Sequence, residues 1–267
     1  MALIFDPNFT MLTEERSWKL FNQILVASQV FGGLAIVFVA IWMGSYDGGY
    51  GWSDDPKKEF HYHPTFMVMG LVFLYGESIL IYRVFRNERK RFTKLLHMGL
   101  HSMVLIFMFI ALKAVWDSHD LNIKDGKPDP LPNLISLHSW IGITTVAAFC
   151  GQYVLGFSAF LYPGFSMATR QIAMPFHQLF GVVIFGMVSL TVALGISERA
   201  AWAHTCWTQE KELCGKQVVS NFLGLFVFLY SACVIVLVGN PRWRRKPLPE
   251  EEMLHGMSLS SSRDPMD

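Results

Sequence analysis

The chain alternates long apolar runs with short polar stretches. Runs of mainly apolar residues occupy 24–44, 61–82, 95–116, 136–161, 172–195 and 218–239. Each is near the ~20 residues a helix needs to cross a bilayer. Turn-forming clusters separate them: Asp47-Gly48-Gly49, Asp54-Asp55-Pro56, Lys127-Pro128-Asp129-Pro130 and Pro163-Gly164. The pattern predicts an all-α polytopic membrane protein with six transmembrane helices. One transmembrane domain is expected over 1–240, and the charged, then Ser-rich stretch 241–267 reads as a disordered cytosolic tail. The first run is long enough to span, so it is read as a retained helix and not a cleaved signal.

Composition agrees. The chain is 52% hydrophobic and 16% charged, with mean hydropathy +0.34. Soluble domains carry about 25% charged residues, so the deficit points to lipid as the solvent. A net charge of +1 gives no case for nucleic acid. Lys and Arg crowd the stretch Arg83, Arg86, Arg89, Lys90, Arg91 and Lys94, and follow the last run at Arg242, Arg244, Arg245 and Lys246. The positive-inside rule then places both termini in the cytosol. Cys206 and Cys214 fall on the opposite side, where a disulfide between them and two free thiols are both open. There is no Cys-x-x-Cys-His, which excludes covalent c-type haem attachment.

The histidines carry the candidate chemistry. His63 and His138 open the second and fourth runs at the exoplasmic end, and His97 and His177 open the third and fifth at the cytosolic end. Ionisable residues at membrane depth are costly and usually functional. Two pairs at two depths do not suit tetrahedral zinc, which wants four ligands together. They suit two metals that already hold four equatorial ligands, as haem iron does, in a four-helix bundle made by helices 2–5. Gly142 and Gly181 stand one turn after His138 and His177 and could leave room for a flat macrocycle. With both axial positions filled, electron transfer across the membrane is the expected task. A metal or proton transporter using the same histidines is the alternative from another class. His61 is two residues from His63, on another helix face, and is not counted as a ligand. His101, one turn deeper than His97, reads as a hydrogen-bonded core residue, and Glu77 as a polar residue facing the bundle interior.

The stretches Tyr82-Arg83-Val84-Phe85-Arg86-Asn87-Glu88, Lys94-Leu95-Leu96-His97, Ser136-Leu137-His138-Ser139-Trp140 and Pro175-Phe176-His177, with Pro64 after His63, resemble the cytochrome b561 family. The likeness is greatest to its chromaffin-granule type and runs from the first run to Trp243. It implies an ascorbate-dependent transmembrane reductase with two non-covalent haems b, one held by His63 and His138 and one by His97 and His177. The donor would be cytosolic ascorbate, and the acceptor monodehydroascorbate or a ferric chelate. The resemblance further implies a basic rim at the inner haem from Arg83, Lys90, Lys94 and Arg170, and an outer substrate site at His119 and Asn133. It also implies a homodimer in lipid, in a secretory-vesicle, endolysosomal or plasma membrane. The sequence departs from the family pattern in the longer loop 120–132 and in Ile135, where a tyrosine is expected.

Overall fold

The computed structural model of the protein describes residues 13–248; the Ser-rich part of the tail expected to be disordered lies outside them. Six helices are long and apolar enough to cross a membrane: α1 (Glu14–Tyr46), α2 (Pro56–Val84), α3 (Lys90–Asp120), α4 (Leu137–Phe160), α5 (Met167–Ala203) and α6 (Gly215–Gly239). Every apolar run falls on one of them. Five of the helices extend past their runs because the backbone stays helical into the polar interface, which hydropathy does not register; α4 ends one residue inside its run at each end.

Local sequence sets the starts. Thr13 caps α1, its hydroxyl accepting from Arg16 N at 3.4 Å. Ser136 and Ser139 form a reciprocal capping box at α4, and Ser166 accepts from Thr169 N at 3.2 Å at α5. Each satisfies a backbone N–H that the first helical turn leaves open. Helix α2 is the least regular. It opens with the turn Pro56–Glu59, resumes at Tyr62, and widens into a π-helical stretch over Val68–Leu74 before closing as an α-helix.

Helices α2 and α3 pack as one antiparallel hairpin and α4 and α5 as a second, while the two hairpins touch each other far less. The histidines face one another across that seam. Helices α1 and α6 pack side by side and buttress α2, burying Val39, Trp42, Leu223, Tyr230 and Val234. The outer faces of α4 and α5 are apolar yet exposed, with Leu155, Ile172 and Leu179 among them, as a lipid-facing surface requires.

The loop 120–132 is a folded element. Ile123–Lys124 pairs antiparallel with Lys127–Pro128, turning on Asp125 (φ 52°) and Gly126 (φ 74°). Positive φ at both turn positions is what a type I′ hairpin needs and what Asp-Gly supplies.

Candidate functional site

The structure brings the four bundle histidines together in two pairs. The rings of His63 and His138 are 6.2 Å apart at 88°, and those of His97 and His177 are 6.3 Å apart at 71°. Two imidazoles binding one metal from opposite sides, through bonds of about 2 Å, hold their centroids about 6.3 Å apart. Both pairs meet that spacing.

Second partners orient three of the rings. His63 Nδ1 donates to the Ala111 carbonyl at 3.2 Å, His138 Nδ1 to Thr191 at 2.9 Å, and His97 Nδ1 to Ser78 at 2.8 Å. A carbonyl can only accept, so each Nδ1 carries the proton and each Nε2 keeps its lone pair for a metal. The exchange is reciprocal between α2 and α3: a histidine of each bonds the backbone of the other. His177 is held differently, by Gln152 Nε2 donating to its carbonyl at 2.6 Å and by Phe160 against its ring at 5.3 Å.

Two glycines admit the rings. A Cβ on Gly195 would lie 2.7 Å from His138 Cε1, and one on Gly156 would lie 2.8 Å from His177 Cε1. Each glycine stands on the helix opposite the histidine it admits, and about five helical turns from the ligand of its own helix. A whole number of turns puts both on one face. This repeated His-to-Gly spacing is a sequence signal that reading one turn at a time misses. At Gly142 and Gly181 a Cβ would meet only Thr191 at 3.4 Å and Gln152 at 3.8 Å.

Among the described residues, no three or more His, Cys, Asp or Glu side chains converge as a metal site. Each pair therefore offers two donors, the number that a macrocycle-bound iron needs. Free Nε2 atoms, ring spacing and glycine clearance all fit haem.

Aromatic side chains fill the space between the pairs. The His101 ring lies 4.6 Å from His97 and 4.9 Å from Tyr75, and Tyr75 lies 5.3 Å from Phe149. The expectation of a core hydrogen bond at His101 is not met at Nδ1, which is buried without a partner; its ring contacts are aromatic. Glu77 turns away from the histidine pairs toward α1 and α6, accepting from Gln29 at 2.9 Å and Tyr230 at 3.0 Å. His61 is spent on the Gly49 carbonyl.

At the Lys- and Arg-rich end of the bundle Lys90, Arg91, Lys94, Leu95 and Leu161 line a cavity of about 400 Å³. Lys94 Nζ donates to the Phe160 carbonyl at 2.8 Å, and the Phe160 ring rests on His177. Lys94 also feels the charges of Lys90 and Arg170, and Arg170 Nε is buried without a partner. Arg83 is buried elsewhere. Its guanidinium donates to the carbonyls of Val238 and, at 3.3 Å, Asn240, where a cation complements the C-terminus of α6.

At the other end His119 Nδ1 donates to Asn133 Oδ1 at 2.8 Å, and Asn133 Nδ2 donates to Asp120 at 3.2 Å. The two residues singled out for an outer site are thus joined at the foot of the hairpin. Cys206 and Cys214 are bonded, with Cα atoms 6.1 Å apart. Nearby, Asp47 accepts from Arg199 at 2.9 Å and Lys216 at 3.3 Å. Burial works to raise the Asp47 pKa, but the two cations bring it below the usual carboxylate range.

The sequence model of the family described as eukaryotic cytochrome b561 matches residues 62–203. The chain is 59% identical to a Caenorhabditis elegans protein named "Putative transmembrane ascorbate-dependent reductase CYB561 homolog", over 98% of this chain and 99% of the relative. It is 37% identical to the Bos taurus "Transmembrane ascorbate-dependent reductase CYB561", over 88% of each. A Xenopus laevis protein, "Plasma membrane ascorbate-dependent reductase CYBRD1", is 35% identical over 91% of this chain and 82% of its own length.

Proposed function

The chain belongs to the cytochrome b561 family, and from that premise we propose that it moves electrons from cytosolic ascorbate across the membrane to an exoplasmic acceptor, using two haems b. The observation that carries the reading is the pair of histidine couples, spaced at 6.2 and 6.3 Å. Haem, when bound, would supply a one-electron couple. His63 and His138 would hold an outer haem, and His97 and His177 an inner one.

The residues do the rest. Carbonyls of Ala111, Thr191 and Ser78 fix three imidazole planes and raise ligand basicity. Tyr75, His101 and Phe149 exclude water from the path between the pairs. Ascorbate is a monoanion at neutral pH, so the Lys90, Arg91 and Lys94 cavity concentrates it and steers its approach. Arg170 adds charge to that rim, while Arg83 braces the C-terminal end of α6. On the far side His119 and Asn133 offer polar contacts to the acceptor, monodehydroascorbate or a ferric chelate. The basic clusters favour a cytosolic cavity by the positive-inside rule, and the disulfide suits an oxidising opposite face.

The test is stoichiometry. Pyridine haemochrome analysis of the purified chain should give two haems b. His97→Ala should leave one and slow reduction by ascorbate. One haem in the unaltered protein, or biphasic reduction unchanged in His97→Ala, contradicts the ligand assignment.

A further inference from the structure

Glu59 is an anomaly outside everything described above. It ends the turn Pro56–Glu59, one helical turn before His63, and is 0% exposed. Both carboxylate oxygens are shielded from solvent, and no N–H or hydroxyl donor reaches either. The turn packs against α3, the helix that carries Asp117 and Lys113, and both act on Glu59, as does Asp54 from the preceding loop. Lys113 is bound to Asp117, so Glu59 has no cation of its own. From α5, Arg199 lies over the neighbouring Phe60 ring at 4.9 Å and is committed to Asp47.

A buried ionised carboxylate without donors is unstable; it takes a proton or a counter-ion. Two carboxyls facing one another cannot both ionise cheaply and titrate as a unit. Asp117 is 28% exposed, which links the pair to exoplasmic water. Phe60, beside Glu59, packs on the His63 ring at 6.0 Å. Asp117 rides on the helix whose Ala111 carbonyl orients His63.

We propose that Glu59 and Asp117 form a redox-linked acid pair, which binds one proton as an electron arrives at His63 and His138 and releases it as the electron leaves. This rests on the haem reading above. The balance is simple. One electron, drawn from ascorbate, adds one negative charge at the outer pair. One proton from exoplasmic water, bound by a carboxylate, offsets it. On departure, an acceptor radical anion gains that electron and proton and becomes the reduced monoanion; with a ferric chelate the proton returns to water.

The experiment is an equilibrium redox titration of the purified holoprotein at a series of pH values, with the outer haem identified as the one missing in His63→Ala. The midpoint of the outer haem should fall with rising pH at close to one proton per electron. In Glu59→Gln and Asp117→Asn it should become flat while both haems stay bound and the inner midpoint holds. Infrared difference spectra of the unaltered protein should show a carboxylic acid band on reduction, so the idea survives a variant that does not fold. An unchanged outer slope in either variant with both haems bound, or no such band, overturns this proposal alone. A chain that binds no haem overturns the histidine reading as well.

Discussion

Gly195 is a position where a single methyl group reaches the outer pair. A Cβ there would stand 2.7 Å from Cε1 and 2.9 Å from Nδ1 of His138. The ring cannot retreat without stretching the bond from Nδ1 to Thr191. Gly195→Ala should therefore lower bound haem from two toward one per chain, with the inner site intact, which haem analysis and absorption spectra would show; full retention of both haems would mean the ring has room to move. Lys94 is the counterpart at the inner face. Lys94→Ala should raise the ascorbate concentration for half-maximal reduction roughly three- to tenfold, or about 0.7–1.4 kcal/mol, with both haems retained. Loss of haem instead would make Lys94 a structural prop for Phe160. The four histidines were legible in the sequence because a titratable residue in an apolar run is conspicuous. Gly156 and Gly195 were not, because their meaning lies in a ring on another helix. Nor was the seat of Arg83, which is set by carbonyls far along the chain.

Helix ends hold what hydropathy cannot see. Helix α5 runs 37 residues, about 56 Å at 1.5 Å per residue, against an apolar core of about 30 Å. Its outer end carries Arg199 to Asp47, a residue that the turn after α1 delivers and that Lys216 of α6 also grips. This three-way contact ties α1, α5 and α6 together. Asp47 keeps its side chain 5% exposed, but its partners are 29% and 37% exposed, so solvent screening leaves roughly 1–2 kcal/mol. Because the folded carboxyl titrates below its unfolded value of 3.8, the stabilisation is fully present above that pH and is lost as pH falls through the lower, folded value. Asp47→Asn should melt earlier than the unaltered protein near neutrality, and the gap should close as the pH drops below 4. Thermal melting in detergent across that range checks it; a gap that persists in acid would assign the loss to packing. The six apolar runs were readable because lipid imposes length and composition. The hairpin at Asp125-Gly126 went unread because its two short strands sit within a polar loop.

At the scale of the molecule, the two helical hairpins place one histidine pair near each face, and the pairing by depth was already implicit in where the four residues fall along their runs. What depth could not supply is the way the hairpins lock. Helices α2 and α3 exchange histidine-to-carbonyl bonds, and α4 and α5 exchange glycine clearances, so neither pair can be disturbed without touching the partner helix. That coupling is structural, whereas the two redox sites should be separable in function. In liposomes loaded with ascorbate, the chain inserted with its basic face inward should reduce an external ferric chelate or monodehydroascorbate. His63→Ala should stop that external reduction almost completely, since electrons would lack the outer station, while the inner haem remains reducible by the trapped ascorbate in a single spectral phase. His97→Ala should stop it from the other end, leaving an outer haem that only an external reductant reaches quickly. The two variants together fix the direction of flow. If His63→Ala still delivers electrons outside at the unaltered rate, the outer pair is off the path and electrons leave the protein from another point on its exoplasmic face.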